Sequence, residues 1–197
     1  WDGLYARASQ IMDRPEDYLE GCRGRVMASV FYEPSTRTNF SFQAAMLRLG
    51  GTVFGFADPK SSSAAKGESL KDTVKMVSGY ADVVVMRTPW EGSAKAASLY
   101  SDVPVINAGD GGHMHPTQTM ADLTAITRLL GRADGLSIGL CGDLKNGRTV
   151  HSLIKAMAKF ENIRFFLISP RELAIPGYMR AFLRERGMGF TEVTGLE

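Results

Sequence analysis

Only two cysteines, Cys22 and Cys141, occur in 197 residues. Two thiols cannot build a disulfide framework or fill a zinc site by themselves, and such sparing use fits a reducing compartment, so a cytoplasmic location is expected. Long apolar runs are missing too. None approaches the roughly 18 residues of a membrane span, and no signal peptide opens the chain, so no membrane partner is expected. Neither sign of charge dominates: 23 Lys and Arg stand against 21 Asp and Glu, for a formal charge of +2. Without a basic excess a nucleic-acid partner is not expected, and no acidic tail is present. Gly 21 and Pro 8 leave no room for a collagenous or disordered reading. The G-x-G-x-x-G fingerprint of a dinucleotide site is also missing.

What remains is an ordinary globular composition, 44% hydrophobic and 22% charged. Short apolar runs alternate with stretches of helical spacing. Val26 to Tyr32 reads as a buried strand, broken at Glu33-Pro34, since proline disfavours helix in the residue before it. Phe42, Met46 and Leu49 then mark a helix that Gly50-Gly51 closes. Strands are predicted at 52–56, 81–86, 103–107, 136–141 and 164–168. Helices are predicted around 4–12, 70–77, 91–100, 116–130, 150–160 and 178–186, with the polar segment 58–69 as a loop.

This alternation predicts an α/β protein of two domains, each with a central parallel sheet flanked by helices. The segment Gly131 to Gly135 is the expected boundary, giving domains 1–131 and 132–197. Only about one and a half strand–helix units follow it, so the second domain is expected to be incomplete. The chain opens on Trp1, not Met, and Val193-Thr194-Gly195 suggests no helix or strand ending. A piece of a longer protein is expected.

Candidate chemistry collects where strands give way to helices. Ser35-Thr36-Arg37-Thr38 sits at such a turn, where free backbone N–H groups and the helix dipole favour an anion and Arg37 can clasp two phosphate oxygens. The same serine and threonine also read as a plain helix cap. Arg87 ends a strand, where open parallel sheets bind ligands, or is simply a solvated loop residue. His115 precedes Pro116, a natural first helical residue, and reads as a ligand or as a cap. His113-Met114-His115 lacks a carboxylate or thiol at ligand spacing, so no metal is expected. Lys66 lies in a Ser/Ala-rich loop that suits a lid over an anion or plain solvation. Arg148 begins a helix after a strand, repeating the logic of the first site. Together these cations point to anionic small molecules, one of them phosphorylated, with chemistry that rests on positioning and electrostatics. Cys141 is expected to pack in a strand beside the site without taking part.

Four ordered segments carry a resemblance. Phe31-Tyr32-Glu33-Pro34-Ser35-Thr36-Arg37-Thr38 with Ser41-Phe42, and His115-Pro116-Thr117-Gln118, resemble the two signatures of the aspartate/ornithine carbamoyltransferases. Lys66-Gly67-Glu68-Ser69 and the run from Gly142-Asp143-Leu144-Lys145-Asn146-Gly147-Arg148 to Ser152 are similar to the aspartate-specific members of that family. The resemblance implies transfer of the carbamoyl group from carbamoyl phosphate to L-aspartate, giving N-carbamoyl-L-aspartate and phosphate in pyrimidine biosynthesis, with no metal or organic cofactor.

By the same resemblance Ser35, Thr36, Arg37 and Thr38 hold the phosphate, and Arg87 bridges phosphate and carbamoyl oxygen. His115 and Gln118 bind the carbamoyl end, with Thr38, Arg87 and His115 as the catalytic set. Ser62 and Lys66 enter from a neighbouring subunit of a homotrimer. Arg148 receives an aspartate carboxylate, oriented by an ion pair with Glu33. Regulatory chains or fused pathway enzymes are further partners that the family admits. Its Arg-x-Gln segment and Leu-Pro pair do not occur in these residues, so the 197 residues alone are expected not to turn over at normal rates.

Overall fold

The computed structural model describes residues 1–195 and divides by contacts into two units, Trp1–His113 and a second from Met114 onward. The first unit opens with α1 (Asp2–Asp13) and continues through β1 (Val26–Phe31), α2 (Thr36–Arg48), β2 (Thr52–Phe56), α3 (Leu70–Ser78), β3 (Val83–Thr88), α4 (Ser93–Ser98) and β4 (Val105–Asp110). Its four strands are all parallel, in the order β2-β1-β3-β4.

The reason for a two-faced sheet is written in β1, whose residues after Val26 are all buried. Ala28 and Val30 join Val84 and Met86 of β3 in a core with Val74 and Val77 of α3 and Ala94 and Ala97 of α4. Met27 and Phe31 point to the other face, into a core with Met46 of α2 and Val85. Alternate residues of one strand thus feed two cores, which is what a strand covered on both sides requires. Gly55 of β2 lies opposite Ser29 of β1 at φ 145°, and a Cβ there would come within 1.9 Å of the Ser29 carbonyl oxygen. Only glycine lets the two backbones approach so closely.

The second unit holds α5 (Pro116–Leu130), β5 (Ser137–Cys141), α6 (Arg148–Met157), β6 (Arg164–Ile168), α7 (Gly177–Glu185) and β7 (Gly189–Val193). Its strands are parallel in the order β5-β6-β7. Phe165 and Leu167 of β6, Ile154 and Met157 of α6, and Met179 and Leu183 of α7 are all buried. Helix α5 ends where predicted, with Gly131 in the left-handed region at φ 69°. It packs with α6 inside this second unit, so the compact units part before α5, whereas the sequence pattern places the boundary after it.

Three local expectations are corrected. Segment 58–69 is more ordered than a loop: Pro59–Ser61 and Ser63–Lys66 form two 3₁₀ turns, the first capped by Asp58 and the second by Ser62. Strand β7 was not anticipated. Cys141 closes β5 with its side chain exposed, because burial alternates along β5 and residue 141 falls on the open phase.

Candidate active site

Parallel strands direct all their carboxyl ends to one edge, and a doubly wound sheet opens a crevice there where the strand order reverses. In the first unit the chain leaves β1 for β2 on one side and reaches β3 on the other, so the reversal lies between β1 and β3. Phe31 and Arg87 face each other in register at that point. The segment from Glu33 to Thr38 leaves β1 immediately above it.

Helix α2 starts at Thr36, with Ser35 as its N-cap residue and no acidic residue in its first turn. Among the described residues the Ser35 side chain makes no capping hydrogen bond, although the backbone N–H of Asn39 reaches the Ser35 carbonyl at 3.0 Å. The first N–H groups of the helix lack helical acceptors by construction, and the dipole favours negative charge beside them. The position is therefore a cap by geometry, but its hydroxyl is not committed to capping. Arg37 is exposed beside it. Buried Asn39 holds this helix start to the sheet: its Oδ1 accepts from the Ser29 hydroxyl at 2.7 Å and from Gln43 Nε2 at 2.7 Å.

Arg87 is no solvated loop residue. It lies within β3, its side chain 12% exposed, and its Nε donates to Glu33 Oε1 at 2.6 Å. Glu33, implied by the resemblance as a partner for Arg148, pairs with Arg87 within the first unit. A largely buried ion pair of this kind is held together by its partners' charges, and an incoming anion would compete with Glu33 for the guanidinium. The Tyr32 N–H donates to the Arg87 carbonyl at 2.8 Å, tying the start of the phosphate-type turn to the same residue.

Opposite Arg87 the β3–β4 ladder is irregular. Met86 pairs with Asn107 and Thr88 with Asp110, so Ala108 and Gly109 together face the single residue Arg87. This is a β-bulge in β4, the kind of irregularity that re-aims a side chain. Asp110, 2% exposed, receives hydrogen bonds from Asn107 Nδ2 at 3.0 Å, from the Gly92 N–H at 2.8 Å and from His113 Nδ1 at 3.2 Å. Burial pushes its carboxyl upward, but these three donors and the imidazole's charge outweigh burial and hold it below the usual carboxylate range.

In segment 58–69 the Ser62 hydroxyl donates to the Pro59 carbonyl at 2.8 Å and accepts from the Ala64 N–H, so it serves its own turn. Lys66 ends the second turn and is exposed. The Ser69 hydroxyl caps α3 by accepting from the Asp72 N–H at 3.2 Å and donates to Asp72 Oδ2 at 2.7 Å, and Thr73 donates to Glu68 at 2.7 Å.

Taken by itself, the second unit carries His115, Gln118 and Arg148. His115 is 7% exposed and caps α5: its Nδ1 accepts from the Gln118 N–H at 3.3 Å, and its own N–H donates to Ser152 Oγ at 3.1 Å. A neutral imidazole that accepts at Nδ1 carries its proton on Nε2. Gln118 Nε2 donates to Asp122 at 2.9 Å. Arg148 is the first residue of α6, after a turn built on Asp143 Oδ1, which accepts from the N–H groups of Lys145 and Asn146. Those bonds, chiefly the one from Asn146, keep the Asp143 carboxyl low. His151, buried in the same helix, donates from Nε2 to the Leu144 carbonyl at 2.8 Å and accepts from the Tyr178 hydroxyl at 2.9 Å, fixing the turn that presents Arg148.

The sequence pattern missed Asn39, Asp110 and His151 as supports. Only Asp110 left a trace, as the carboxylate inside Gly109-Asp110-Gly111, where a polar residue ends an apolar strand. Among the described residues no group of three His, Cys, Asp or Glu side chains is placed to hold a metal ion, and no helix is long and apolar enough to cross a membrane.

Known proteins resemble this chain in sequence and fold. A family described as aspartate/ornithine carbamoyltransferase, carbamoyl-P binding domain, matches residues 1–128. The aspartate carbamoyltransferase catalytic subunit of Clostridium perfringens strain SM101 is 57% identical over 198 residues, covering 100% of this chain and 64% of its own length. Among solved structures, the catalytic subunit of M. jannaschii aspartate transcarbamoylase superposes with a TM-score of 0.89 at 49% identity, covering 98% of this chain and 63% of that one. Aspartate transcarbamoylase from Trypanosoma cruzi, in complex with carbamoyl phosphate and aspartate, gives 0.89 at 38% identity, with 98% and 66% covered. The chain thus spans about 64% of the length of the curated relatives it matches. With the signature turn at the strand reversal, Arg87 beside it and a family match over residues 1–128, more than half of the chain, the protein belongs to the aspartate/ornithine carbamoyltransferase family.

Proposed function

We propose that this chain supplies the carbamoyl-phosphate site, and the first part of the aspartate site, of an enzyme that transfers the carbamoyl group from carbamoyl phosphate to L-aspartate. In this reading residues 1–131 are the carbamoyl-phosphate domain and residues 132–197 begin the aspartate domain. The observation that carries it is the reversal point of the first sheet, where an uncapped anion-type turn, Ser35 to Thr38, and the guanidinium of Arg87 stand at one edge.

The mechanism follows from charge. The helix N–H groups, the hydroxyls of Ser35, Thr36 and Thr38, and Arg37 hold the phosphate dianion. Arg87, released from Glu33 by the arriving anion, spans phosphate and carbamoyl oxygen. His115, with its proton on Nε2, donates to that same oxygen, with Gln118 at the carbamoyl nitrogen. Attack by the neutral amine of aspartate, whose carboxylate meets Arg148, makes a tetrahedral centre with negative charge on the oxygen. Fixed donors stabilise that charge, and losing one such donor costs roughly 3 kcal/mol in comparable sites. The C–O bond to phosphate then breaks, and the leaving phosphate takes the amine proton, so the chain needs no separate base. Ser62 and Lys66 complete the site of a neighbouring subunit in a homotrimer, and the enzyme works in the cytoplasm for pyrimidine synthesis. An acidic acceptor accounts for Arg148 where an ornithine-specific enzyme has no use for a cation.

The test is calorimetric titration of the protein with carbamoyl phosphate, side by side with Arg37→Ala. Removing the bidentate phosphate ligand weakens binding by about tenfold or more. Equal affinity in the two proteins would remove the phosphate cradle and the enzyme assignment with it.

A further inference from the structure

The reaction gives Arg87 the most demanding placement, because it must reach two groups of one ligand. On the β1 side Arg87 is paired in register, but on the β4 side it has no one-to-one partner. The residue sits across from a bulge, where the ladder gives it two partners in place of one and the regular pairing is locally interrupted. In β4 the closure is made by side chains. Asn107 Oδ1 accepts from the Gly109 N–H at 2.8 Å, and Asn107 Nδ2 donates to Asp110 Oδ1 at 3.0 Å, so residues 107 and 110 bracket the extra residue. Gly109 itself has φ 122°, a conformation that side chains disfavour.

The other oxygen of the same carboxylate reaches outward. Asp110 Oδ2 accepts from the Gly92 N–H, in the segment that leaves β3 just after Arg87, and from His113 Nδ1. The Gly111 N–H donates to the Thr88 carbonyl at 2.8 Å, and Thr88 and Ser93 share a buried hydroxyl–hydroxyl hydrogen bond. The segments flanking Arg87 and those flanking the bulge are therefore stitched through one buried carboxylate. A carboxylate is suited to this task because both oxygens accept and neither must donate.

We infer that Asp110 is a positioning residue for Arg87: by closing the bulge opposite it and anchoring the segment that follows it, Asp110 sets where the guanidinium stands when carbamoyl phosphate arrives. His113 is the outer pin of the same clamp. Its side chain is 45% exposed, so it adjusts the clamp without supporting the core. The inference rests on the functional reading above, in which Arg87 grips the ligand.

A double-mutant cycle with carbamoyl phosphate as the titrant tests it. Asp110→Asn replaces an acceptor by a donor at a place with three donors already, and weakens binding by about tenfold in the presence of Arg87. In an Arg87→Ala background the same change adds less than about twofold, because the group it positions is gone. Exposed His113 gives variants that keep the fold: His113→Leu weakens binding by about threefold, whereas His113→Asn, whose Nδ2 occupies the place of Nδ1, restores it. Additive losses in the cycle, or equal losses for His113→Leu and His113→Asn, overturn the positioning role while leaving the functional reading intact. Failure of the unmodified protein to bind carbamoyl phosphate overturns both.

Discussion

Asp110 shows how a single side chain can be legible in its chemistry and not in its role. A carboxylate at the end of an apolar strand reads as a turn residue. Its function as an acceptor for three donors exists only after Gly92 and His113 have folded over it. Its lowered pKa has a consequence for stability, with a definite sign. A carboxyl held low in the folded state contributes stability that is present above its unfolded value of about 4 and lost as pH falls through the folded one. Urea unfolding of the protein and of Asp110→Asn at about pH 6 and about pH 3 should show the gap between them narrowing at the lower pH. A gap of constant size would mean that the carboxylate's charge contributes nothing to folding. His115 makes the converse case. Its role as a cap was one of two readings open from the sequence. The bond into Nδ1 unites them, since capping is what leaves the proton on Nε2.

Among the elements, the pairing of β1 with β2 has the narrowest tolerance. Gly55→Ala would set a methyl group 1.9 Å from the Ser29 carbonyl oxygen and force φ 145° on a residue with a Cβ. We expect a loss of about 2 kcal/mol or more in denaturant unfolding. Because the Ser29 hydroxyl also anchors Asn39 at the start of α2, the same substitution should loosen carbamoyl-phosphate binding. Unchanged unfolding midpoints would show that β2 simply moves away. Most elements were legible: β1, β3 and β6 as apolar runs, α3 and α6 as helical stripes, and α5 from His115-Pro116 at one end to Gly131 at the other. Strand β7 was not, because Gly189-Phe190-Thr191-Glu192-Val193 offers one aromatic and one aliphatic residue among polar ones. It is held instead by its ladder to β6 and by a two-pronged bond from Arg180 to Glu192, at 2.8 Å for each prong. The turns of 58–69 escaped for a similar reason. Serine and alanine carry no periodic signal, and the order comes from hydroxyl-to-backbone bonds.

For the whole molecule, the proposed sharing of the site between subunits is a property of the assembly and is tested there. If Lys66 serves a neighbour while His115 serves its own subunit, Lys66→Ala and His115→Ala proteins, each a poor binder, should regain tight carbamoyl-phosphate sites when unfolded together and reassembled. Calorimetry on the mixture would register them, and verified hybrids without recovered binding would confine each site to one chain. The reversal between β1 and β3 also has a kinetic meaning. Met27 and Val83 pair across more than fifty intervening residues, so the crevice is a product of the long-range step of folding. A chain with β1 and β2 paired has the turn at Ser35 but no Arg87 beside it. Ligand affinity therefore arises late, after topology is complete. A bound acyl phosphate such as carbamoyl phosphate would then act on the lifetime of the folded state, slowing its unfolding while leaving the rate of its formation nearly untouched.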